Sequence, residues 1–301
     1  MTQPRRGFYI AGMPYPASQL AAGLYLVATP IGNLGDITVR ALQTLAGADL
    51  IACEDTRVSR KLLEHYGIAT ATTPYHDHNA AAVRPALLRR IADGAAIALI
   101  SDAGTPAISD PGYKLVREAR DAGLAVTALP GASSVLAALV ASGLPTDRFL
   151  FEGFLPVKAA QRRSRLSILS RVPASLVLFE SGSRIEATLR DLAATFGDRE
   201  AAICRELTKL HEEVRRAPLP ALAAHYAGEA ETRGEFVIVI APPGEEEAPG
   251  TDQIDAMLRA ALLRVSVKDA VGEIVAATGL PRRDVYRRAL ELAKERSDAI
   301  A

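Results

Sequence analysis

The sequence predicts an α/β protein: one α/β domain over residues 23–143, a second over 144–241, and a small helical domain over 251–301. Three observations carry this. From Gly23 onward short apolar runs alternate with helical patterns, the signature of βα units that build a largely parallel sheet with helices on its faces. Several runs, AAIALIS (95–101) above all, are apolar without a break, as strands covered on both sides must be. APPGEEEAPG (241–250) then interrupts the alternation with Pro, Gly and Glu, and only helical periodicity follows, so 242–250 reads as a linker.

The elements follow in order. Residues 1–22 read as a flexible tail, because Gly12, Pro14 and Pro16 break any apolar run there. LYLVAT (24–29) is the first strand, and DITVRALQTLAGA (36–48) a helix with Asp36 as N-cap. DLIACE (49–54) is a strand, followed by a helix across 57–66, a short strand at 71–75 and a helix over 79–92. AAIALIS precedes a helix opened by Asp110 and Pro111, then AVTALP (125–130) and a helix over 132–142. The second series is RFLFE (148–152), a basic helix near 159–170, SLVLFE (175–180), a helix over 184–195, AAICRE (201–206) and EFVIVI (235–240). In the tail, Val267, Ala270, Val271, Ile274 and Val275 share one helical face; Val285, Ala289 and Leu292 share another, giving a helix-turn-helix-like pair.

Composition narrows the function. The 301 residues carry 35 Lys+Arg against 35 Asp+Glu, which excludes a surface that is cationic throughout but not a local basic patch. Two distant cysteines, Cys53 and Cys204, provide neither a disulfide framework nor a CxxC zinc pattern and suit a reducing, cytoplasmic setting. No apolar run reaches the ~18 residues of a bilayer span, so no membrane partner is expected.

The chemistry concentrates at strand ends, where open parallel sheets hold their ligands. TPIGNLGD (29–36) offers two glycines in a βα turn but lacks the lysine of a phosphate-binding P-loop. CEDTR (53–57) places Glu54 and Asp55 at the next strand end, where Asp55 or Thr56 can equally cap the following helix. LISDAGTPAISDPG (99–112) packs Asp, Gly, Pro and Thr105 into one loop: the prolines restrict φ, Gly104 admits close backbone approach, and Asp102 suits a cationic or hydroxyl-rich ligand. LPGASS (129–134) brings Gly131, Ser133 and backbone N–H groups to a helix start. In YHDHN (75–79), His76 and His78 have no third His or Cys nearby, so no metal is expected and a helix start near Asn79 is the reading. EGFLPVKAAQRRSRLSILSR (152–171) holds Lys158, Arg162, Arg163, Arg165 and Arg171 with no acid after Leu155, a local positive patch suited to phosphate. Phe149, Phe151 and Phe154 before it read as core.

TPIGNLGDIT, EDTR, HDHN, SDAGTPAISDPG, PGASS, EGFLP and RELTK occur in this order, and together they resemble the ribosomal RNA small subunit methyltransferase I family of the tetrapyrrole methylase superfamily. The resemblance covers about residues 23–295 and departs at Ala132, where the family often has Pro after PG. It implies two α/β domains of tetrapyrrole-methylase type with the cofactor cleft between them, S-adenosylmethionine as methyl donor, and a homodimer. It implies 2′-O-methylation of a cytidine ribose in the decoding region of 16S rRNA, on the small ribosomal subunit. Residue by residue it places Pro30, Ser101, Asp102, Ala103, Gly104, Thr105 and Pro106 along the cofactor, with Pro130, Gly131 and Ser133 opposite and Phe179 and Glu180 from the second domain.

A sulfonium donor is already activated, so the protein must mainly position the reactants and accept a proton. Glu54, Asp55 and Asp102 are the candidate catalytic carboxylates; Glu180, Glu206 and Lys209 are further candidates. Lys158, Arg162, Arg163 and Arg165, with Arg282, Arg283, Arg287 and Arg288 of the tail, are the candidate RNA contacts. A tetrapyrrole or other small-molecule methylase would instead carry a GPGD-like first loop where this chain has PIGNLGD. A non-catalytic RNA-binding assembly factor would leave the SDAGTPAISDPG loop without a use.

Overall fold

The computed structural model describes residues 7–108, 112–228, 233–244, 251–278 and 281–298. The chain divides into two compact units at Pro242/Pro243. The expected capping pair Asp110 and Pro111 lies outside the described residues.

The first unit opens on a hairpin, β1 (Gly7–Ile10) and β2 (Met13–Pro16), paired antiparallel. This corrects the loose tail expected over 1–22. Ala11 and Gly12 both have positive φ, the geometry of a two-residue hairpin turn whose twist matches its strands. Phe8 is buried among Leu42, Leu62 and Tyr66, and the Tyr9 N–H donates to the Tyr66 carbonyl at 2.8 Å. The buried Phe8 ring and this backbone bond dock the hairpin on that core.

The parallel sheet comprises β3 (Gly23–Val27), β4 (Leu50–Cys53), β5 (Thr72–Pro74), β6 (Ala96–Ile100) and β7 (Val126–Leu129), in the order β5-β4-β6-β3-β7. Its helices are α1 (Val39–Gly47), α2 (Thr56–His65), α3 (Ala80–Ala92), α4 (Gly112–Asp121) and α5 (Ser134–Ala141). Alternate residues of the apolar strands face opposite layers. Ala98 and Ile100 join Val27, Ile51 and Leu45 in one core, whereas Ile97 and Leu99 join Leu24, Leu87 and Leu115 in the other. Helix α1 starts later than expected: residues 34–36 form a 3-10 turn capped by Asn33, and Thr38, not Asp36, caps α1 through its hydroxyl, 3.0 Å from the Ala41 N–H.

The second sheet comprises β8 (Phe149–Phe154), β9 (Ser175–Ser181), β10 (Glu200–Arg205), β11 (Glu213–Pro218) and β12 (Glu235–Ile240), ordered β11-β10-β12-β9-β8. Only β8 and β9 run parallel; the other pairings are antiparallel. Helices α6 (Ala159–Leu169), α7 (Ile185–Phe196) and α8 (Leu219–Tyr226) cover one face through Leu166, Leu189, Leu222 and Tyr226. Val135, Ala138 and Leu139 of α5 pack on the other face against Val177, Ala202 and Val237, joining the two halves through one apolar layer.

The second unit holds α9 (Thr251–Leu262), α10 (Val267–Thr278) and α11 (Arg282–Asp298). Leu258, Val271, Ile274, Val285, Ala289 and Leu292 form its core. The two faces read from the tail sequence thus meet each other and α9.

Candidate functional site

Because β3 to β7 are parallel, their C-terminal ends open at one edge of the sheet, and TPIGN, EDTR, YHDHN, SDAGTP and PGASS all leave from it. Backbone bonds fuse three of these loops. Thr29 and Gly104 exchange N–H···O bonds of 2.9 and 3.0 Å, and the Thr29 hydroxyl donates to the Ser101 carbonyl at 3.0 Å. The Ser101 hydroxyl lies 3.2 Å from the carbonyl oxygens of both Ala103 and Gly104. The Thr105 hydroxyl reaches the Ala132 carbonyl at 3.2 Å. Gly104 has φ +80°, a left-handed conformation that side chains disfavour. A Cβ on Gly131 would stand 2.8 Å from the Ala28 Cβ, so only glycine lets PGASS lie so close to β3.

A cleft of about 430 Å³ follows these loops, within the usual range for small-ligand sites. The first half contributes Ile31, Glu54, Ser101, Asp102, Ala103, Ile108 and Ser134. The second contributes Phe154, Phe179, Glu180, Ser181, Cys204, Leu207 and residues 234–237. Glu54, Asp102, Glu180 and Glu235 are among the lining residues, and no Lys or Arg is. An acidic wall beside apolar and aromatic surface suits a cationic ligand with apolar and hydroxyl parts, not a phosphate.

Of the expected cofactor residues, Ser101, Asp102, Ala103, Phe179 and Glu180 line the cleft directly. Pro30 adjoins Thr29 and Ile31. Gly104, Thr105, Pro106, Pro130, Gly131 and Ser133 belong to the loops that brace it, Ser133 as the N-cap of α5. Glu180 is buried: its carboxylate accepts from the Thr188 hydroxyl (2.6 Å) and the Ser181 N–H (2.9 Å), and Arg184 lies 3.3 Å away. That carboxylate is spent holding β9 to α7. Sequence reasoning missed Ile31, Ile108, Leu207 and Glu235, and placed Phe154 in the core. Phe154 is 58% exposed, its ring edge-on to Phe179 at 5.6 Å on the cleft wall, and Phe149 is also exposed. The glycine-flanked strand end at 234–235 was the available signal.

The carboxylates divide by role. Glu54 is exposed on the cleft wall. Asp102 accepts the Asp55 N–H at 3.0 Å, which ties EDTR to SDAGTP. Asp55, expected among the catalytic groups, is instead the N-cap of α2 and forks onto Arg57, with contacts of 2.6–3.1 Å. The bonds from Arg57 hold its carboxyl down at about 2. Burial pushes the Cys204 thiol up to about 11.

The basic residues divide likewise. Arg162, expected to contact RNA, is buried: its guanidinium bonds Asp191 at 2.7–2.8 Å, because α6 packs this face onto α7. Arg165 forks onto Glu152 at 2.6 and 2.7 Å. Lys158 and Arg163 are exposed. In the tail unit, Arg288 is clamped between Asp255 and Glu291, whereas Arg282, Arg283 and Arg287 are exposed, Arg287 lying 3.3 Å from Asp284. Among the described residues no cluster of His, Cys, Asp or Glu could hold a metal ion, and no helix is long and apolar enough to cross a membrane.

This fold and cleft define a methylase of the tetrapyrrole (corrin/porphyrin) class, whose family pattern matches residues 23–223. A second pattern, the RsmI C-terminal HTH domain, matches 248–293. Ribosomal RNA small subunit methyltransferase I of Mesorhizobium japonicum is 52% identical over 278 residues, 92% of this chain and 94% of the relative. That of Halalkalibacterium halodurans is 45% identical, covering 87% and 93%. The crystal structure of a uroporphyrin-III C-methyltransferase from Thermus thermophilus with S-adenosylhomocysteine shares the fold at TM-score 0.50 and 21% identity, covering 73% of this chain and 97% of the other. The chain belongs to the ribosomal RNA small subunit methyltransferase I family.

Proposed function

We propose that the protein methylates a ribose 2′-hydroxyl of small-subunit rRNA with S-adenosylmethionine, and that the target is a cytidine in the decoding region of 16S rRNA on the assembled subunit. Membership of the family makes it an S-adenosylmethionine-dependent rRNA methyltransferase. The observation that carries the site reading is the composition of the cleft: fused glycine-bearing loops on one side, Phe179 and Leu207 on the other, and Glu54 and Asp102 among its lining residues.

These residues fit a sulfonium nucleoside. When bound, S-adenosylmethionine supplies a methyl group already activated for in-line displacement. The loops at 101–106 and 130–133 would hold it through backbone groups, and Phe154 and Phe179 would keep water from its apolar side. Asp102 and Glu54 line the cleft, which supports them as acceptors of the proton that the ribose hydroxyl loses. The Asp55 carboxylate is engaged by Arg57, which supports a positioning role for it.

Exposed Leu136 and Val140 on α5 offer an apolar surface for a second copy of the chain, which supports a homodimer. An rRNA substrate supports a cytoplasmic location. The test is transfer of labelled methyl to purified small subunits, free rRNA and a tetrapyrrole acceptor, with chelator present. Transfer to subunits is expected. Transfer only to the tetrapyrrole, or cofactor binding that needs a divalent ion, would refute the reading.

A further inference from the structure

The geometry points to Arg57 as the residue that grips a backbone phosphate of the acceptor RNA beside the cleft, an inference that rests on the rRNA reading above. Three observations converge on it. Arg57 belongs to EDTR, whose Glu54 lines the cleft and whose Asp55 N–H is held by the cleft residue Asp102 at 3.0 Å. Arg57 therefore lies three residues from the wall residue Glu54, in the first turn of α2 at the sheet edge where the other loops emerge.

The side chain is 87% exposed yet fixed in direction. Asp55 takes its Nε–H and one Nη2–H, with contacts of 2.6–3.1 Å. A guanidinium has five N–H donors in a planar fork, so this grip leaves the Nη1/Nη2 edge facing outward. That edge matches two oxygens of a phosphate. An exposed ion pair contributes little to stability, so the fork serves orientation more than folding. Among the described residues, Asp55 is the only carboxylate paired with Arg57.

The surroundings carry the same sign. Arg60 and Lys61 are exposed on α2 at three and four residues from Arg57, hence on the same helical face, where Glu64 is the one acid. The cleft itself has no cation among its lining residues. A nucleotide entering it needs its phosphate charge met beside the cleft, where Lys209 is taken up by Glu206 and Glu235 and Arg184 by Glu180, whereas Arg57 is held by one carboxylate and stays exposed. The ribose must be held within reach of the donor methyl, and a two-pronged phosphate contact fixes both position and rotation of the sugar.

The experiment compares wild type, Arg57→Ala, Arg57→Lys and Asp55→Asn in the full chain. It measures KM and kcat on purified small subunits at several salt concentrations, with cofactor Kd and Tm for each. For Arg57→Ala the expected result is a KM raised on the order of tenfold. The salt slope of kcat/KM should become shallower by about 0.7–0.9, with cofactor Kd and Tm unchanged. Arg57→Lys keeps the charge and so the salt slope, but not the fork, and recovers KM only in part. Asp55→Asn frees the guanidinium and raises KM without changing the slope. A folded Arg57→Ala with wild-type KM and slope overturns the inference while leaving the rRNA reading intact. A wild type that binds cofactor but methylates no subunit removes both.

Discussion

Replacing Arg162 by Ala should unfold the protein more readily rather than weaken its hold on RNA. The Arg162 and Asp191 side chains are 7% and 12% exposed and bonded at 2.7–2.8 Å, so removing the cation strands a carboxylate between α6 and α7. Breaking a buried pair in this way costs about 3–5 kcal/mol. Arg163 lies 3.7 Å from the other Asp191 oxygen and is 58% exposed, so it offers partial compensation and favours the lower end, about 3 kcal/mol. At about 2–4 °C per kcal/mol, Tm should fall on the order of 10 °C. Replacing both partners with apolar residues, Arg162→Met with Asp191→Leu, should restore most of it, because no buried charge remains. Arg163→Ala should shift stability by less than about 0.5 kcal/mol and instead lower affinity for small subunits in a salt-dependent way. Thermal melts and subunit binding on the same preparations check this. An Arg162→Ala protein with wild-type Tm and reduced subunit binding would refute the assignment.

Gly131→Ala should weaken cofactor binding on the order of tenfold, read by calorimetric titration, because its Cβ would meet Ala28 at 2.8 Å and push PGASS off β3; unchanged affinity would show that this loop does not shape the cleft. The Asp55 carboxyl is held at about 2, below its ordinary value, so its ion pair is complete above about pH 4 and is lost only as pH falls toward 2. Any acid limb of activity between about pH 5 and 7 should therefore persist in Asp55→Asn, and its disappearance would show that Asp55 titrates there. In the tail unit, Arg283→Ala with Arg287→Ala should raise KM for subunits while leaving the unit folded. Arg288→Ala, which strips Asp255 and Glu291 of their partner, should instead lower its melting temperature. Equal effects of the two on KM alone would contradict this division.

The parallel sheet was legible because its signal is local. AIALI is apolar throughout, and its neighbours face two cores, so unbroken hydrophobicity followed by a turn suffices to mark a buried strand. The loops at 29–36, 53–57, 99–108 and 129–134 were legible for the same reason: they follow such strands and hold residues a plain turn does not need. What escaped depends on partners far along the chain. The charge run at 158–171 looks like one basic surface, but nothing local reveals that Arg162 meets Asp191 or that Arg165 meets Glu152. Strand β11 carries two arginines on a solvent-facing edge and lacks the apolar run that marks the others. The hairpin at 7–16 rests on Phe8 finding a place between α1 and α2, a tertiary fact that the prolines around it conceal. Glu235 joins the site only because β12 runs antiparallel to β9 and β10, bringing its first residue to the cleft.

The most direct test of the account is the position of the transferred methyl group. Small subunits lacking the modification would be incubated with the protein and labelled S-adenosylmethionine, and the rRNA then digested with alkali, which spares only linkages next to a methylated 2′-oxygen. Label is expected in a single alkali-resistant dinucleotide whose 5′ nucleoside is a cytidine of the decoding region, and its loss in Gly131→Ala at limiting cofactor. Label in an alkali-sensitive mononucleotide, which would place the methyl on a base, would contradict it.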